Sequence, residues 1–251
     1  METAEFIRIL DREGRLLASA AEAAGTDAEV PACPKWRVRD LLRHTGAVHR
    51  WAAGLVADAH TGPRRFGDLP DLDGGALLEW YRDGHRRLVD TLTGAPPDVA
   101  CWTFLPVPAR SPQSPLAFWA RRQAHETTVH RYDAESARGG HASPVVPEFA
   151  VDGIDELLCG FHALGRSRVR TDEPRLLRVR ATGPDAAGSA VWTVRLSDLP
   201  PVTTRDEPGR ADAELAGPAE RLYLALWNRA QVPSVTGDEE LAALWRETSA
   251  V

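Results

Sequence analysis

The feature that most narrows the fold is a change of hydrophobic period near residue 145. Before it, four stretches read as helices: three repeat apolar residues at helical spacing, and three carry a start or stop signal. Phe6, Leu10, Leu17 and Ala21 mark a helix over about 6–24, with Gly25 where a C-cap belongs. Leu41, Val48 and Trp51 lie on one side of a second, over about 37–59. A third starts after Asp73, an N-cap residue type, and stripes Leu77, Tyr81, Leu88 and Leu92. The fourth opens with Ser114-Pro115, a cap followed by proline at the first helical position, and runs to about 137. Four helices of this length bury their apolar stripes most simply against one another, as a four-helix up-down bundle. The loops at 59–73 and 93–113 are long for such a bundle and are expected to cover or line a site.

Past the Gly/Pro/Ser-rich stretch 136–147 a helix is expected over about 150–164, and then the period falls to two. Leu177, Val179 and Ala181 alternate with Arg178 and Arg180, and Ala190, Trp192, Val194 and Leu196 repeat the pattern after a turn. A weaker strand candidate spans 211–216, and the segments AERLYLALWNR and GDEELAALWRE read as two closing helices. The sequence therefore predicts an α+β multidomain protein: residues 1–145 an all-α bundle, residues 146–251 a smaller α+β domain.

Composition removes several function classes. Thirty Lys+Arg against 36 Asp+Glu give a net charge of −6, which disfavours nucleic acid as a partner. No apolar run reaches the roughly 18 residues of a membrane span, and the N-terminus breaks into charge too early for a signal peptide. Three cysteines without C-x-x-C spacing argue against a disulfide framework or a cysteine-based zinc site. The expectation is a cytoplasmic protein with no membrane partner.

The fourth helix holds the chemistry. At about 100° per residue, with Glu126 set at zero, His130 falls near +40°, Asp133 near −20°, Trp119 near +20° and Arg122 near −40°. One face thus presents Trp, Arg, Glu, His and Asp, the pattern of a helix facing a polar cavity. HETTVH is not the zincin H-E-x-x-H motif, because His125 and His130 diverge by about 140° on one helix. The pair that converges is Glu126 with His130, and a three-ligand metal site needs one more donor from a neighbour. His44 shares the inward side of the second helix with Leu41, Val48 and Trp51; His49, about 140° away, is expected to face water, and His85 sits at the margin of its stripe. An i,i+4 Glu–His pair is also an ordinary helix-stabilising contact, so spacing alone leaves both readings open.

Two of these segments, with the C-terminal ones, resemble the mycothiol-dependent maleylpyruvate isomerase family. WRVRDLLRHTG (36–46) is similar to its W-x-V-x-D-L-x-x-H segment and RQAHETTVHRYDAE (122–135) to its R-x-x-x-E-x-x-x-H-R-x-D signature. ADAELAGPAERLYLALWNR (211–229) and VTGDEELAALW (235–245) are similar to its C-terminal part. Tyr132 stands where the family often has tryptophan. The resemblance implies a DinB-like metal-binding bundle followed by a sterol-carrier-protein-like domain. It implies zinc, or another divalent metal, on His44, Glu126 and His130, mycothiol as cosubstrate, and a catalytic arginine at Arg229.

A coordinating thiol is held as thiolate, so the reactive sulfur in such a site is the cosubstrate's. In the isomerase the family is named for, the thiol adds to an activated double bond, the bond rotates and the thiol leaves. An arginine such as Arg229 would hold a substrate carboxylate, and Arg122 and Asp133 would orient Glu126 or His130 or else form a structural ion pair. Three functions remain open on this reading. They are an isomerase or S-transferase acting on a small electrophile, a metal-dependent hydrolase, and a non-catalytic binding protein that retains the bundle.

Overall fold

The computed structural model describes residues 1–105, 114–183, 190–206 and 209–249. Helix α1 (Thr3–Ala24) starts where the Glu5 carboxylate accepts a hydrogen bond from the Glu2 amide (2.7 Å), and it stops at Gly25, whose φ of +83° suits glycine. In α2 (Val38–Ala57), Asp40 caps the Arg37 amide (2.9 Å). Asp73 accepts from the Gly74 amide at the start of α3 (Gly74–Gly94). Ser114 accepts from the Ala117 amide (3.2 Å) ahead of Pro115 in α4 (Pro115–Arg138). Each start is thus written locally, in a side chain that satisfies an otherwise orphaned amide.

Within this unit α4 packs on α1 and α2, and α3 packs on the same two, leaving α1/α2 and α3/α4 as diagonals. Side-chain pairings give the directions. Phe6 meets His125 and Glu13 meets Arg131, so α1 and α4 run together. His44 meets Glu126 and Trp51 meets Trp119, so α2 runs against α4. Gly46 lies against Trp80 and Gly84 against Arg50, so α2 and α3 run together. The order is up, down, down, up. The segment 58–73 makes the parallel α2–α3 step possible, since its reach of about 50 Å exceeds the roughly 30 Å length of α2. Of the two long loops, 59–73 and the described part of 93–113 cover an aromatic cluster: Phe66 stacks on Trp51 at 4.6 Å, and Trp102 accepts at its carbonyl from the Trp119 indole (2.9 Å). Residues 106–113 lie outside the described part of that loop.

The second compact unit takes Leu105 and the described residues from Pro144 onward. Helix α5 (Pro147–Asp155) passes into a π-helical turn over Glu156–Phe161, so the expected helix at 150–164 starts earlier and ends its α-helical course at 155. Strands β1 (Arg175–Thr182), β2 (Ala190–Leu196), β3 (Val202–Arg205), β4 (Ala213–Pro218) and β5 (Ser234–Gly237) form one sheet in the order β3-β2-β1-β4-β5. The β1/β4 pair is parallel and the others are antiparallel, with Val179 opposite Trp192 on one side and Leu215 on the other. Leu177, Val179, Trp192, Val194 and Leu215 are buried, and α6 (Ala219–Leu226) and α7 (Glu239–Thr248) complete the unit. The sequence did not announce β3 or β5. Each has four residues and no buried position, so neither carries the alternation that marks a strand. No helix among the described residues is long and apolar enough to cross a membrane.

Candidate metal centre

α4 differs from an ordinary bundle helix in that polar residues are buried around most of its circumference. Arg121, Arg122, Gln123, His125, Thr127, Thr128, His130, Arg131, Asp133 and Glu135 are all buried. Its polar residues face both neighbours, Arg131 toward Glu13 of α1, and Glu126 and Thr127 toward His44 and His49 of α2. The polar face read from the sequence is therefore real but not the only buried one. On the α1 side Arg131 is enclosed between Glu13 and Glu135 (2.7 Å each) and donates to the Ser143 carbonyl.

On the α2 side, His44, Glu126 and His130 come together. One donor atom from each lies within 4.8 Å of the others, and among the described residues no other trio of His, Cys, Asp or Glu side chains does this. Glu126 Oε1 sits 3.2 Å from His44 Nε2 and 3.2 Å from His130 Nε2. The side chains are 38%, 21% and 9% exposed respectively, so the cluster opens toward solvent on the His44 side. Arg122 Nη2 reaches the second carboxylate oxygen, Oε2, at 3.1 Å, and the fully buried Asp133 Oδ2 lies 2.9 Å from His130 Nδ1. Trp36 packs on both imidazoles, its ring 5.0 Å from that of His44 and 6.0 Å from that of His130.

The electrostatics follow from this geometry. Burial alone would raise the Glu126 carboxyl pKa. Hydrogen bonds from His130 and His44, with the charges of His130 and Arg122, carry it well below the usual carboxylate range instead. Burial opposes the charged form of His130, but its hydrogen bonds to Asp133 and Glu126 outweigh that and push its pKa up to about 9. Two imidazole nitrogens and a carboxylate oxygen are a zinc-type donor set, and a carboxylate behind the remote nitrogen of one imidazole is the usual support for a metal ligand. The donor chemistry fits a divalent ion.

The other histidines stand apart. His125 is buried against Phe6, away from the cluster. His49 does not face water as its helical angle suggests. It is fully buried between α3 and α4, its Nε2 is 2.9 Å from Thr127 Oγ1, and the rings of Tyr81 and His85 each lie 5.6 Å away. The angle was read against one inward side, whereas α2 has two neighbours and a correspondingly wide buried arc. Burial, then the nearby charge of His85, lowers the His49 pKa well below its ordinary value, so it is neutral. His85 bonds the Leu10 carbonyl (3.1 Å). Arg229, just past α6, is half-buried and donates from Nη1 to the Trp227 carbonyl (2.8 Å). The His49–Thr127 and Glu13–Arg131 contacts carry no spacing signal, because each joins residues far apart in the chain.

A helical bundle carrying a His-Glu-His cluster that could hold a metal ion, followed by an α+β unit with a mixed sheet, defines a two-unit α+β protein. Family comparison makes the class specific. Residues 7–135 match the model of the mycothiol maleylpyruvate isomerase N-terminal domain, and residues 148–244 match that of the C-terminal domain of the same family. The chain belongs to the mycothiol maleylpyruvate isomerase family, a family of enzymes. Two solved structures share the fold, a crystal structure of the mycothiol-dependent maleylpyruvate isomerase and one of a point mutant of it. They are 13% and 11% identical to this chain, with TM-scores of 0.61 and 0.63; each comparison covers 94% of this chain, and 92% and 93% of the respective structure. No curated protein matches the chain.

Proposed function

We propose that the chain is a mycothiol-dependent isomerase of the maleylpyruvate type, or a thiol transferase acting on a related small electrophile, and that His44, Glu126 and His130 hold a zinc ion. The observation that carries this reading is the convergence of three donor atoms within 4.8 Å in a chain of this family. A divalent ion bound by two neutral imidazoles and one carboxylate keeps a net positive charge and stabilises a thiol as thiolate at neutral pH. The protein's part is orientation. Asp133 accepts from His130 Nδ1–H, which would fix the tautomer of a ligand imidazole and leave its Nε2 lone pair for the ion. Arg122 occupies Glu126 Oε2 and leaves Oε1 to the cluster. Arg229 is assigned the substrate carboxylate, which a guanidinium holds bidentately while it offsets developing enolate charge. A reducing cytoplasm is the compartment such a thiol enzyme requires.

Metal content and thiol dependence test the reading together. After zinc reconstitution, the wild-type protein is expected to retain about one ion per chain, and Glu126→Gln and His130→Ala to retain far less. Thiol-depleted enzyme is expected to be inactive toward maleylpyruvate-type electrophiles and to recover with mycothiol. Wild type that stays metal-free sinks the site. Equal turnover with and without thiol replaces the proposal with a metal-dependent hydrolase, and no turnover of any electrophile by the metal-loaded protein replaces it with a binding role.

A further inference from the structure

The two candidate imidazole ligands are supported unequally. His130 has Asp133 behind its Nδ1, whereas the only hydrogen-bond partner of His44 among the described residues is Glu126. A ligand imidazole ordinarily has its second nitrogen fixed by a carboxylate, a carbonyl or water. His44 is also the most exposed of the three, at 38%. What lies against its ring is Trp36, tilted 53° at 5.0 Å, and the same indole lies nearly parallel to His130, 24° at 6.0 Å.

The backbone that carries Trp36 is held on both sides. The Trp36 amide donates to the Cys33 carbonyl (2.7 Å), and the Val30 amide to the Trp36 carbonyl (3.1 Å). Glu29 and Arg37 form an isolated antiparallel bridge around it. Arg39 ties the strap down through Asp27 (2.7 Å) and Asp73 (3.0 Å). An indole fixed in this way limits the rotation of the imidazoles it packs against.

We propose that Trp36 is a positioning residue for the metal centre: its ring packs against both imidazoles, orients them, and so sets metal affinity. This inference rests on the metal-centre reading above.

The test is cobalt(II) binding to metal-free full-length wild type, Trp36→Phe and Trp36→Leu. Affinity is read by chelator competition, ligand geometry by the visible absorption bands of the bound ion, and folding by thermal melting of the metal-free proteins. Trp36→Leu is expected to melt near wild type yet bind about 10- to 100-fold more weakly with altered bands, the size of effect seen when a ligand loses its support. Trp36→Phe, which restores a ring face, is expected to return to within about threefold of wild type, as a partial rescue of that effect. Wild-type affinity and bands in Trp36→Leu overturn the proposal, and so does a Trp36→Phe as weak as Trp36→Leu. Loss of the metal-free fold in Trp36→Leu overturns it too, because Trp36 would then hold the chain and not the ligands. Wild type that binds no cobalt overturns the metal-centre reading itself, a result distinct from the other three.

Discussion

At the scale of single residues, burial decides what each charged group is worth. Asp133 is fully buried 2.9 Å from His130 Nδ1, so no solvent screens its carboxylate from that imidazole. Asp133→Asn keeps the shape but removes the charge that favours the Nδ1–H tautomer. It is expected to weaken zinc binding about 10- to 100-fold in chelator competition, with the fold retained by circular dichroism. Arg131 is the opposite case, a structural charge. It is wholly enclosed with Glu13 and Glu135, and truncating it leaves the buried Glu135 carboxylate without that cation and Glu13 with Arg12 alone. Arg131→Ala is expected to cost about 3–5 kcal/mol in urea unfolding. Arg131 and His130 are adjacent in sequence and equally polar, yet they face different helices, and that difference separates ion-pair work from ligand work.

At the scale of elements, close helix approach overrides local preference. Gly14 lies in α1 where the buried His85 ring of α3 crosses, and a Cβ there would fall well inside contact distance of that ring. Helix propensity alone favours alanine by about 1 kcal/mol. His85 is anchored on the Leu10 carbonyl and cannot withdraw freely, so overpacking of roughly 1–3 kcal/mol outweighs the gain. Gly14→Ala is therefore expected to lower the urea midpoint, and a raised midpoint would show that the α1–α3 crossing relaxes. The same contrast between local and tertiary forces explains what could be read of each element. The four bundle helices were legible because caps and a 3.6-residue stripe are local. Strands β3 and β5 were not, because an exposed four-residue edge is made a strand only by the neighbour it pairs with.

At the scale of the whole molecule, buried neutral histidines make the fold sensitive to acid. His162, in the second unit, is 1% exposed and its pKa is lowered to about 4, first by burial and then by the charge of Arg170. Above pH 6.5 it is neutral in both states. As pH falls below 6.5 the unfolded chain takes up a proton that the folded chain refuses until about 4. Stability should therefore drop by about 3 kcal/mol across pH 6.5 to 4 from this residue alone. His49 and His85 in the first unit shift in the same direction. His130 does not alter that window, since its raised pKa contributes stability that is complete below pH 6.5 and is lost only as pH rises toward 9. Urea unfolding of the metal-free protein at pH 7, 5.5 and 4.5 checks this, and a His162→Phe variant with an unchanged pH slope would refute the assignment to His162. By itself the sequence determined the four bundle helices, the α-to-β change of period, and the fact that Glu126, His130, Arg122 and Asp133 share one face, because all of these depend on residues a few positions apart. The tertiary structure alone decided that α4 neighbours α2, that His44 therefore reaches Glu126, that His49 is buried and that Trp36 covers the imidazoles. Those outcomes depend on which helices lie side by side, and the chain reaches that arrangement only through a loop long enough to set α3 parallel to α2.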